Sequence, residues 1–138
     1  MTELEVFPDD WATALAVVAH PDDMEYGAAS AVARWTSEGK QVAYLLVTRG
    51  EAGIDTMAPD EVIELRAVEQ RGSCDAVGVG TLEYHKHPHG QVVEGLERRP
   101  DLAAAIPPHR PDVVISLNHR ESWGGPSWNH ADHRAVGR

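Results

Sequence analysis

Two short strings concentrate the residue types able to bind a metal and move protons. The first is His20-Pro21-Asp22-Asp23, and the second is His130-Ala131-Asp132-His133. Imidazole and carboxylate are ligands that zinc accepts, and a catalytic zinc keeps three protein ligands and one open position. Within each string the outer residues stand three apart, so one helical turn places both on the same side. His20, Asp23, His130 and His133 are thus four candidates for three places, which leaves one histidine for proton or charge chemistry. Taken singly, each string has a plainer explanation. Asp22 or Asp23 would serve as a helix N-cap, and the second string as a solvated turn. Their placement in the chain argues against both.

Short apolar runs at Ala14–Ala19, Val42–Thr48, Thr81–His85 and Asp112–Leu117 predict four strands. The second and fourth are rich enough in Val, Leu and Ile to be buried on both faces. Helical spacing runs from Glu25 through Ala28, Ala31, Val32 and Trp35 and stops at Gly39. A second helix is expected after Pro59-Asp60, with Val62, Leu65 and Val68 inward and Arg66, Glu69 and Arg71 off that face. A third, from about Pro100-Asp101 through Leu102 and Ile106, is cut short by Pro107-Pro108, and another begins near the C-terminus.

This alternation predicts an α/β fold, a Rossmann-like, doubly wound, mainly parallel sheet in strand order 3-2-1-4. In that order strands 1 and 4 are neighbours, and the switch point between their C-terminal ends is where such sheets bind ligands. The first string leaves strand 1 and the second follows strand 4, so topology and chemistry meet at one crevice.

Composition narrows the partners. The 138 residues suffice for a single domain and one core. The net charge of −10, with eight histidines against twelve Lys and Arg, repels a phosphate backbone and argues against nucleic acid. No signal peptide or membrane span is legible, and the lone Cys74, expected to be a buried inert thiol, fits a reducing interior. The expectation is a soluble, cytoplasmic protein. A dinucleotide site would need a Gly-rich turn after strand 1, where this chain has Pro21, Asp22 and Asp23. A two-metal phosphoesterase would need more bridging carboxylates than are present.

The strings AHPDDMEYG, TRGEAG, LRAVEQR and NHADHR resemble the de-N-acetylase family, over about Leu15 to Gly137. That family includes the N-acetylglucosaminyl-phosphatidylinositol de-N-acetylase and the deacetylases of mycothiol and bacillithiol metabolism. The resemblance implies a zinc-dependent hydrolase, with ferrous iron as the alternative metal, that cleaves an N-acetyl amide from an N-acetylglucosamine-like small molecule. It implies that His20, Asp23 and His133 bind the metal and that Asp22 is the general base activating the metal's water. His130 would stabilise the oxyanion or protonate the amine, and Asp132 would orient a histidine. Arg66 matches a family arginine that holds polar groups of the substrate, and Glu51 faces the same crevice.

Four departures from the family pattern stand out. His89 replaces an Asp before the glycine of the loop after strand 3, which would change substrate contacts. Trp128 stands where some relatives have an oxyanion-assisting Tyr, and Pro107-Pro108 interrupt a helix that relatives continue. The chain also stops at Arg138, where family members go on. The expectation is therefore a single deacetylase domain over residues 1–138, truncated at its C-terminus. Either it is a fragment, or it is a catalytically impaired metal-binding remnant; in both cases the 138-residue chain is expected to form homo-oligomers or aggregates through an exposed strand edge. Among the remaining residues, His119 is the substitute ligand for His133. Alternating His85, His87 and His89 fit a half-exposed strand end better than a second metal site. Trp123 and Trp128 either stack on a sugar ring or pin their loop.

Overall fold

A computed structural model describes residues 5–92 and 99–138. Four strands, β1 (Thr13–Val18), β2 (Gln41–Leu46), β3 (Thr81–Tyr84) and β4 (Val113–Ile115), form one sheet in the order β3-β2-β1-β4. Every pairing is parallel, with Ala16 opposite Tyr44 on one side and Ile115 on the other. This is the 3-2-1-4 order expected from the alternation of elements. Each crossover carries helix: α1 (Asp23–Gly27) and α2 (Ala29–Ser37), then α3 (Pro59–Ala76), then α4 (Arg99–Ala105) with a 3₁₀ turn at Pro107–His109. A last helix, α5 (Ala131–Gly137), follows β4.

β1 divides the core. Ala14, Ala16 and Val18 point to one face, where they join Trp11, Met24, Val32, Tyr44, Leu46, Cys74 and Val79. Leu15 and Val17 point to the other and meet Leu45, Val47, Val92 and the apolar sides of α4 and α5. The period of two along a strand turns one apolar run into two cores, so helices must cover both faces.

Three expectations from the sequence are corrected. The helix from Glu25 to Gly39 is broken at Ala28 (φ −142°), which lies between α1 and α2. In α3 only Val62 of the three expected core residues is buried. Leu65 is partly exposed and Val68 is 73% exposed, while Gln70 and Cys74 are buried instead. The inward face therefore repeats every four residues (Val62, Arg66, Gln70, Cys74) and is half polar, because it meets a loop with unpaired backbone and carboxylate groups rather than bare sheet. Finally, β4 is not buried on both faces. It is three residues long, pairs among the described residues only with β1, and leaves Val114 48% exposed.

Candidate metal and catalytic site

The sheet ladder continues past β1 and β2, with Val47 N–H donating to Val18 O and Thr48 N–H to Ala19 O, both at 2.9 Å. The Thr48 hydroxyl also donates to Ala19 O at 3.0 Å. Gly50, at φ +71°, brings the TRGEAG loop against Pro21, whose Cδ would lie 3.1 Å from any added Cβ. These contacts fix the start of the first string. Asp23 then turns back on it, its Oδ2 accepting the Ala19 and His20 amides at 3.0 and 2.8 Å, which leaves Oδ1 directed elsewhere.

That second oxygen meets two imidazoles. Asp23 Oδ1 is 3.0 Å from His133 Nε2 and 3.8 Å from His20 Nδ1, and the two ring nitrogens are 3.2 Å apart. The opposite side of each ring is also engaged. His20 Nε2 lies 2.9 Å from Asp132 Oδ2, an acceptor only, so Nε2 carries the proton and Nδ1 a lone pair. His133 Nδ1 lies 3.0 Å from Asn129 Oδ1. The Asn129 amide nitrogen is already donating to the carbonyls of Asn118 (2.5 Å) and Arg120 (2.9 Å). Its oxygen must therefore accept, so His133 also presents a lone pair, on Nε2. Two lone pairs and a carboxylate oxygen thus converge on one point.

The donor set fits a divalent cation. Ligands 2.0–2.2 Å from a tetrahedral zinc stand roughly 3.3–3.6 Å from one another, against the 3.0, 3.2 and 3.8 Å found here. Imidazoles oriented by a carboxylate and an amide oxygen behind them are the usual supporting pattern. Electrostatics agree. Burial works to raise Asp23, but the neighbouring His133 and His20 imidazoles and the His20 amide hold it well below the ordinary carboxylate range. Burial likewise opposes ionisation of Asp132, and is outweighed by the Gly90 amide, His20 and the Val92 amide. The pocket thus keeps two buried anions, and His20, despite burial, is raised by Asp23 and Asp132. A cation balances this arrangement.

His130 is placed differently. It is the N-cap of α5, and its Nδ1 accepts the Asp132 N–H at 3.1 Å. In the neutral ring Nε2 then carries the proton and is the donor. Burial, with help from the neighbouring His20, keeps His130 neutral by lowering its pKa. Its ring stands edge-on to His20, centroids 4.7 Å apart.

His89 and Glu51 border this cluster, and Asp22 and Arg66 pair with each other beside it. His89 lies with its ring 4.4 Å from that of His20, and its amide donates to Glu51 Oε1 at 2.7 Å. Asp132 holds the same loop through the amides of Gly90 and Val92, at 2.7 and 3.1 Å. Asp22 adopts a left-handed backbone (φ 83°), and Arg66 Nη1 donates to its Oδ2 at 2.7 Å, so Arg66 pairs with Asp22 itself. Gly53 lies between Arg66 and His89: a Cβ there would be 3.5 Å from Arg66 Nη2 and 3.6 Å from His89 Cε1. Trp128 is 79% exposed, and it is Trp123 whose ring approaches His133, at 6.1 Å edge-on.

Two His/Asp clusters occur among the described residues, His20-Asp23-His133 and His20-His89-His130-Asp132; His119 belongs to neither and packs against Gly137 instead. His85 and His87 stack on each other at 5.9 Å, outside both clusters. Sequence reasoning missed Asn129 and Gln70. Gln70 stands four residues from Arg66 on α3, a helical spacing by which it was findable, whereas Asn129 precedes α5 and carried no such signal.

A doubly wound sheet with a His-Asp-His cluster at its switch point defines the class of protein. The chain belongs to the PIG-L family of GlcNAc-PI de-N-acetylases, whose family model matches residues 15–138. It is 27% identical over 131 residues to the diacetylchitobiose deacetylase of Thermococcus kodakarensis, covering 94% of this chain and 48% of that one. It is similar, at 31% identity and TM-score 0.74, to the conserved protein TT1542 of Thermus thermophilus, over 90% of this chain and 51% of that one. The N,N'-diacetylchitobiose deacetylase of Pyrococcus horikoshii shares the fold, with TM-score 0.83 at 24% identity over 93% and 47% of the two chains. The chain spans about half the length of the curated relatives it matches.

Proposed function

We propose that residues 1–138 form one domain that carries the metal site of an amidase removing the acetyl group from an N-acetylglucosamine-like sugar. The observation that carries the proposal is the convergence of the His20 Nδ1 and His133 Nε2 lone pairs with Asp23 Oδ1. Family membership and the deacetylase names of its relatives support the substrate class. His20, Asp23 and His133 would hold the metal, zinc by preference for this nitrogen-rich set and ferrous iron as the alternative. Such an ion acidifies water and polarises a carbonyl, making amide hydrolysis accessible near neutral pH.

The chain's own residues supply the rest. Asp22, adjacent to a ligand and held by Arg66, takes the proton from the attacking water and returns it to the departing amine, a poor leaving group until protonated. His130, whose Nδ1 is occupied by the Asp132 amide, has Nε2–H to donate to the carbonyl oxygen as negative charge develops there. Asp132 fixes the His20 tautomer and anchors the His89 loop, so one carboxylate sets both a ligand and the rim. Glu51 and Arg66 border the space for sugar hydroxyls. His89, a donor and acceptor on that rim, selects the substrate, and Trp128 offers an exposed ring at its edge.

A cytoplasmic location belongs to the same proposal. Buried Cys74 supports it, and among the described residues no helix is long and apolar enough to cross a membrane. The test is metal analysis of the purified chain coupled to an amine-release assay over N-acetylglucosaminides. One zinc per chain with amine release is expected, and both are lost in His20→Ala. Zinc without release from any N-acetylated sugar would instead mark a metal-binding remnant.

A further inference from the structure

Asp22 is one of only two non-glycine residues with positive φ among the described residues. A side chain in that conformation is strained and persists only where its surroundings over-determine it. Two contacts from α3 do so. Arg66 holds the carboxylate, and Gln70 Oε1 accepts the Asp22 backbone N–H at 3.0 Å.

Gln70 is itself held. It is 3% exposed, and its amide nitrogen donates to Glu25 Oε1 at 2.8 Å. That oxygen also accepts the hydroxyl of Ser73. Because Nε2 must face a carboxylate, Oε1 must face Asp22, and the amide has one permitted orientation. Arg66, Gln70 and Ser73 lie on one face of α3, so a rigid eighteen-residue helix grips the loop at Asp22 and Glu25. No hydrogen bond joins Gln70 to His20, Asp23 or His133. Its lever on the site runs through the backbone of Asp22.

We propose that Gln70 is a positioning residue for Asp22, holding the left-handed turn that aims its carboxylate. The inference rests on the reading of Asp22 as the general base. Misplacing a reacting group by about 1 Å costs up to 100-fold in rate. Gln70→Met keeps the side chain's length and removes the hydrogen bonds to Asp22, Glu25 and Cys74 Sγ.

The experiment measures the full chain loaded with zinc. In Gln70→Met, kcat falls about 10- to 100-fold with KM and zinc content unchanged. Amide hydrogen exchange at Asp22, read without any substrate, speeds up at least about tenfold as the bond to Gln70 Oε1 is lost. In an Asp22→Asn background the same substitution costs no further activity, since the carboxylate it aims is gone. Gln70→Asn, polar but too short to reach, gives the same pattern if the methionine variant fails to fold.

Unchanged exchange at Asp22, or an equal loss of activity with and without the Asp22 carboxylate, overturns the role of Gln70. Near wild-type turnover in Asp22→Asn alone would instead overturn the general-base reading. The exchange measurement would still decide whether Gln70 holds the turn.

Discussion

Asp132 Oδ2 lies 2.9 Å from His20 Nε2 across 112 positions of sequence, and the same oxygen accepts the amide of Gly90. One buried carboxylate therefore ties together the loop after β1, the loop after β3 and the start of α5. Replacing it with Asn offers His20 an amide in place of a pure acceptor and unsettles the tautomer that leaves Nδ1 free. Asp132→Asn is expected to weaken zinc binding about 10- to 100-fold, measured by competition with a chromophoric chelator. Equal affinity in the two proteins would remove Asp132 from the account of the site.

Asp22 stands beside a ligand without being part of the converging donor set. Asp22→Asn should keep its zinc and lose 100-fold or more in kcat, roughly the contribution of a general base. Metal content and turnover measured on one preparation decide this. A variant that lost zinc in proportion to activity would show Asp22 to be a ligand instead.

Gly137 closes α5 against the loop after β4. A Cβ at that position would run into the His119 side chain, with Cγ only 3.1 Å away. Because α5 also carries His133, Gly137→Ala should both destabilise the fold, by about 1–3 kcal/mol as overpacking does, and weaken zinc binding. Urea unfolding with and without zinc reads both effects. A substitution with no effect on either would mean that the loop yields freely.

Asp112 supports the entry to β1 on the far side of the sheet. Its Oδ2 accepts the Ala12 and Thr13 amides, both at 2.9 Å, and the Thr13 hydroxyl at 3.1 Å. The Ala12 amide first, then the Thr13 amide and hydroxyl, lower its pKa below the ordinary Asp value. A carboxylate depressed in the folded state stabilises it fully above the unfolded pKa, near 4, and loses that contribution as pH falls through the folded value. Asp112→Asn should therefore be less stable than the parent at pH 7, with the gap closing toward pH 3. Urea midpoints at the two pH values test the sign, and a gap that widened in acid would contradict it.

The outer edge of β4 carries no partner strand among the described residues, and Val114 there is 48% exposed. Unpaired backbone groups beside an apolar side chain invite pairing with a second copy. The 138-residue chain should self-associate at micromolar concentrations in light scattering, and Val114→Lys should shift it toward monomer. A parent chain already monodisperse and monomeric would show the edge to be harmless.

Strand order was legible in the sequence, as was the meeting of the two His/Asp strings at neighbouring strand ends. Alternating apolar runs and helical patterns leave few topologies once crossovers are right-handed, and the richest polar loops sat at the two strand ends that this order brings together. His20, Asp23 and His133 were legible for that reason, as was the burial of Cys74. Tertiary structure alone decided the polar face of α3, the pairing of Arg66 with Asp22, and the parts played by Asn129 and Gln70. Hydrophobic periodicity assigned Leu65 and Val68 to the core because it registers only apolar side chains. It carries no information about a neighbouring loop whose amide and carboxylates need partners, and in this fold those needs turned Arg66 and Gln70 inward. Which nitrogen of each histidine faces the site was likewise beyond the sequence, because a tautomer is set by the atom on the ring's other side. Here that atom belongs to Asn129, four residues away, for His133, and to Asp132, at the opposite end of the chain, for His20.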